Sequence, residues 1–128
     1  MQHLKLEEIV KQANILQRNY RVNFRSMVNR DIICYVMHNS ETLGSIEILY
    51  SPEIKVYIVD WAKADGKLQG KGKLLYYLAL NEAWPKFVGP GPRTNGDAFR
   101  IWKAMETTEG LESKTIDGKL YFRLKNKF

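Results

Sequence analysis

Residues 66–73 read GKLQGKGK, three glycines and three lysines set directly against the apolar run LLYYLALNEAW. Residues of these types can hold phosphate: glycine lets the backbone approach an anion closely, and lysine neutralises it. A nucleic-acid patch and a plain solvated turn before a buried helix would use the same letters. The ATP-binding loop needs G-x-x-x-x-G-K-[ST]. Counted from Gly66, Gly70-Lys71 comes one residue too soon and Gly72-Lys73 one too late, and neither lysine precedes Ser or Thr. A dinucleotide fingerprint, G-x-G-x-x-G, finds no third glycine after Gly70 and Gly72. What the stretch does offer is a helix start, where N–H groups lack intrahelical partners and the dipole is positive. Such a place suits an anion.

The elements that must position it can be read along the chain. Leu6, Ile9, Val10, Ala13 and Leu16 recur at helical spacing, which predicts an amphipathic helix over 4–17. Residues 31–50 read as two strands around a polar turn at Asn39–Thr42, and 53–62 as a third, making an antiparallel meander. Leu74 to Trp84 is Leu- and Ala-rich without a β-branched residue, a helix apolar all round and so buried, stopped by Pro85. Its aromatics Tyr76, Tyr77 and Trp84 fall at helical spacing and are expected to pack. A short strand follows from Lys86, then a stiff Gly-Pro loop holding Arg93, a candidate for a phosphate or an acidic substrate. A second helix is then capped by Thr94 or Asn95 and ends near Gly110. The chain closes as a hairpin about Asp117-Gly118, with Leu120, Phe122 and Leu124 on one face. No strand is evident before Asp31. The pattern predicts an α+β fold, a mixed and mostly antiparallel sheet flanked by helices, in a single domain over 1–128.

At 45% hydrophobic and 27% charged residues, the chain is ordinary globular material. Its apolar runs fall far short of a membrane span, and acids stand near the start where a signal peptide would be apolar. One cysteine, Cys34, suits a reducing compartment, so a cytoplasmic address is expected. A net charge of +6 invites an anionic partner, either nucleic acid or a phosphorylated small molecule. His3 and His38 have no partner pattern for a metal site, and none is expected.

The stretch KLQGKG resembles the pyrophosphate-binding signature of the GNAT superfamily of N-acetyltransferases, [RQ]-x-x-G-x-[GA]. Lys67 then stands at the first position, Gly70 at the glycine and Gly72 at the final small residue. A rival register from Gln69 keeps Gly72 but puts Leu74 where a small residue belongs. Leu43-Gly44 is similar to the opening of the family's third strand. NGDAFRIW resembles its N-x-x-A-x-x-x-[YF] helix, with Asn95 and Ala98 matching and Trp102 where Tyr is usual. The element order agrees from the first helix to the last hairpin.

The resemblance implies an acyl-CoA lying in a V-shaped opening between the fourth and fifth strands. Its pyrophosphate would rest on Leu68, Gln69, Gly70, Lys71, Gly72 and Lys73, with Lys67 beside them. The thioester carbonyl would meet backbone at a bulge near Trp61 and Ala62, Asn95 the pantetheine arm, and Trp102 the sulfur. The reaction implied is direct attack on the thioester, acetyl-CoA as donor, by an amine acceptor that the chain does not identify. It needs a base. The family's usual base positions fall on Val56 and Ile58, which take no proton, so Asp60 on the same strand face and Glu47 on the neighbouring strand are the candidates. Trp102 cannot protonate the leaving thiolate as the usual Tyr would. Two alternatives stand beside this reading: the same fold as a non-catalytic binding or inhibitory module, and a basic nucleic-acid-binding domain. Members of the family often form homodimers.

Overall fold

The computed structural model describes residues 5–68, 70–92, 94 and 96–128, except the side chain of Lys67. Gln69, Arg93, Asn95 and His3 lie outside the described residues, and so do the roles expected of them.

Helix α1 (Leu6–Asn19) buries Ile9, Ala13 and Leu16 along one stripe, and its first-turn Glu7 and Glu8 and last-turn Arg18 suit the helix dipole. It runs at Tyr20 directly into strand β1 (Arg21–Ser26). This is the strand the sequence did not reveal. Val22 and Phe24 turn to the core while Arg21, Asn23 and Arg25 stay exposed, an alternation kept short and charged as befits a sheet edge.

Strands β2 (Ile32–His38), β3 (Glu41–Ser51) and β4 (Val56–Ala64) complete the meander. The turn between β2 and β3 is tighter than expected, with Asn39 at φ 57° and β3 resuming at Glu41. Helix α2 (Gly72–Ala83) crosses over to β5 (Val88–Gly89), which pairs parallel with β4. Helix α3 (Gly96–Met105) precedes the hairpin of β6 (Leu111–Ile116) and β7 (Lys119–Leu124). Asp117 and Gly118 both have positive φ, 50° and 78°, the two-residue turn that matches strand twist. One seven-stranded sheet results, ordered β1-β2-β3-β4-β5-β7-β6, antiparallel throughout except at β4–β5. It is the expected mixed, mostly antiparallel sheet with helices.

Helix α2 is the centre of the core. Leu74 through Leu80 and Ala83 are all buried, as an all-round apolar helix must be. Beneath it lie Cys34, Val36, Ile46 and Ile48 of the meander, and Phe122 and Leu124 of the hairpin. Burial pushes the Cys34 thiol up to about 12, which makes it an inert core residue. Trp84 departs from the expected packing: it is 37% exposed, and its indole N–H donates to the Leu124 carbonyl. Helix α3 also stops five residues before Gly110. The Thr107 and Thr108 hydroxyls both donate to the Ala104 carbonyl and end the helix there. The Thr94 hydroxyl donates to the Gly91 carbonyl at 2.7 Å, which ties the loop together ahead of α3. No helix among the described residues is long and apolar enough to cross a membrane.

Candidate functional site

The β4–β5 ladder has two rungs, Tyr57↔Val88 and Ile58↔Gly89. Pro90 then has no N–H to donate, and Gly91 lies so close to the Val59 carbonyl that any side chain there would collide with it. The two strands part beyond this point, and the β4 edge from Asp60 to Ala64 is left without a rung to β5.

A cavity of about 680 Å³ fills the gap. Strand β4 from Val59 to Ala64 forms one wall, and Ala98, Ile101 and Trp102 of α3 form the other. The start of α2, from Gly70 to Tyr76, closes the inner end. That volume suits a drug-sized or cofactor-sized molecule.

The glycine stretch takes its form from local needs. Residues Gly66–Leu68 form a single 3-10 turn, Gly70 has φ +84°, and α2 begins at Gly72. No side chain caps the helix, and its first turn carries no acid. The Lys71 N–H is taken by the Leu68 carbonyl and the Leu74 N–H by the Lys71 carbonyl. Of the leading amides, those of Gly72 and Lys73 therefore have no intrahelical partner. A Cβ built on Gly70 or Gly72 would meet nothing within 4 Å, so open space lies beside those two residues. Lys73 stands at the rim.

The bulge lies one residue earlier than the expected Trp61–Ala62. Glu47 pairs with Trp61 but Ile48 pairs with Val59, so Asp60 is the extra residue of β4. The simple alternation that groups Asp60 with Val56 and Ile58 ends there. Val59 and Ala62 are both turned to the core, while Asp60 and Trp61 are both exposed. The bulge brings the two candidate bases together. The Trp61 indole N–H donates to Glu47 Oε1 at 3.1 Å, and the carboxyl groups of Glu47 and Asp60 are close enough to share a hydrogen bond. Desolvation, then Asp60, pushes the Glu47 carboxyl above the usual range, with the Trp61 N–H partly offsetting the rise. Asp60, Trp61 and Ala62 border the cavity, and Glu47 stands on the strand behind.

Trp102 is both a cavity wall and a core residue. It meets the Tyr76 ring edge-on at 5.5 Å and stacks on Phe122 at 6.0 Å. Tyr76, whose helical spacing predicts packing alone, also borders the cavity, and burial raises its phenol above the ordinary value. Ile101 is a wall residue that sequence reasoning missed; its spacing of three from Ala98 places it on the same helix face. His38 meets Tyr20 edge-on at 5.6 Å in a structural contact. Among the described residues no three His, Cys, Asp or Glu side chains converge. No family model matches the chain, and no curated protein matches it.

Proposed function

We propose that the protein is a small acyl-CoA-dependent N-acyltransferase, with acetyl-CoA as donor and an amine as acceptor. One observation carries this reading: a single cavity joins an uncapped, glycine-opened helix start to a carboxylate on a bulged, unpaired strand edge. An anion-binding end and a proton-accepting end in one cleft are what amine acylation by a phosphorylated carrier requires.

The residues present fit such a carrier. The amides of Gly70, Gly72 and Lys73 would hold a diphosphate, since space is open beside the two glycines and Lys71 and Lys73 add charge. The free β4 edge would align an extended amide-bearing arm by backbone hydrogen bonds, as an added strand would. The bound thioester supplies an activated acyl carbon and a thiolate leaving group. Asp60 takes the proton from the acceptor ammonium, directly or through water, and becomes neutral, and the adjacent Glu47 carboxyl shares that proton by hydrogen bond. The Tyr76 hydroxyl, at the wall beside Trp102, is the group that can return a proton where Trp102 cannot. The main contribution of the chain is positioning within the cleft.

Calorimetric titration with acetyl-CoA and CoA tests the reading. Saturable binding is expected, and no heat up to millimolar ligand would end it. Release of free thiol with a panel of amines separates an enzyme from the second reading, a module that binds the carrier without transfer. That reading is favoured by Trp102, whose indole cannot act as a general acid.

A further inference from the structure

A second cavity, of about 220 Å³, lies where α1, α2 and α3 meet. It shares Lys73 and Ile101 with the larger cleft, so the two adjoin around the first turn of α2. Its walls are mainly apolar: Ile9, Ile101, Ala104 and the ring of Tyr77, whose hydroxyl is occupied by Thr108. Lys73 and Arg100 supply two positive charges, and no carboxylate stands among its described lining residues. The space is too small for a whole cofactor and suits one heterocycle with a charged substituent. Arg100 pairs with Asp97 at 3.5 Å, but both side chains are more than four-fifths exposed, so that contact gives way easily to a stronger anion.

We propose that this small cavity takes the nucleotide end of the acyl carrier and that Arg100, with Lys73, reads its 3′-phosphate. The inference rests on the acyl-CoA reading and deepens it. A carrier whose diphosphate lies at the start of α2 has its adenosine one linkage away, and the adjoining cavity presents an apolar slot with cations at the rim.

Calorimetry on the full chain with CoA and with dephospho-CoA, which lacks only the 3′-phosphate, tests it. CoA should bind about tenfold more tightly, the scale of one partly exposed charge-assisted contact. Arg100→Gln should remove most of that ratio while leaving dephospho-CoA affinity unchanged, and circular dichroism should show the same fold. Equal, measurable affinity for the two ligands would overturn this inference alone. So would an Arg100→Gln variant that weakens both ligands equally. Absence of binding by both would overturn the acyl-CoA reading and this inference with it.

Discussion

Gly72 and Gly70 do different work, and substitution separates them. Gly70 sits at φ +84°, where any side chain is strained although the space beside it is open. Gly72 has ordinary backbone and open space, so Gly72→Glu should fold normally. It should even gain roughly 0.3–1 kcal/mol from an acid at a helix start. If phosphate rests there, the same change should lower CoA affinity by about a hundredfold or more; a thermal melt and a titration on one sample check both halves. Asp60→Asn should cut turnover about 10²–10⁴-fold with CoA affinity intact, the signature of a lost base. Glu47 offers a pH test. Its folded pKa lies above the unfolded one, so the folded chain holds that proton more tightly. The stabilisation is complete in acid, below the ordinary carboxylate range, and is lost as pH rises through the folded value. Glu47→Gln should therefore flatten this part of the stability profile and leave the neutral-pH melting temperature equal or higher. A variant clearly less stable at neutral pH would contradict the assignment.

At the scale of elements, legibility followed how local the determinants are. Helix α2 declared itself through composition, and the final hairpin through Asp117-Gly118, whose positive φ values few other pairs adopt. Strand β1 was hidden because no turn residue separates it from α1 at Tyr20 and because Arg21, Asn23 and Arg25 dilute its apolar face. The overlong reading of α3 missed a side-chain effect, two threonine hydroxyls taking the same carbonyl. The resemblance implied a bulge one residue further on, but its place at Asp60 exists only in the pairing of β4 with β3. That is why Asp60 and Glu47 could be nominated separately but not as a coupled pair. The parting of β4 from β5 is equally a matter of tertiary contact, and Gly91 tests it. Gly91→Ala would drive a methyl group into the Val59 carbonyl, costing about 1–3 kcal/mol and disturbing the mouth of the cleft. Chemical denaturation and CoA titration should both register the change.

For the whole molecule, the balance of forces is centred on one helix. Leu78 has no exposed surface and lies in the core cluster centred on α2, so Leu78→Ala should cost about 2–5 kcal/mol in a urea melt. A loss under about 1 kcal/mol would mean the core is looser than described. The net charge of +6 acts at longer range. It should speed capture of an anionic ligand and make that capture slower in salt. The basic surface is less suited to single-stranded nucleic acid. Arg30 and Lys86 lie over the Tyr50 ring, and Lys114 and Arg123 over Phe87, covering faces on which bases would stack.

The two-rung ladder has a mechanical corollary. Four strands on one side and three on the other are riveted by a pair of residues, while every hairpin within each side is zipped along its length. Beside it β5 meets β7 at the single rung Val88↔Phe122, so β5 with its two ladders is the softest zone of the sheet, and opening the β4–β5 seam breaks no hairpin. Amide exchange at Val88 and Gly89 should outpace exchange in the β2–β3 hairpin, and a molecule wedged between the halves should slow it by stitching both banks together.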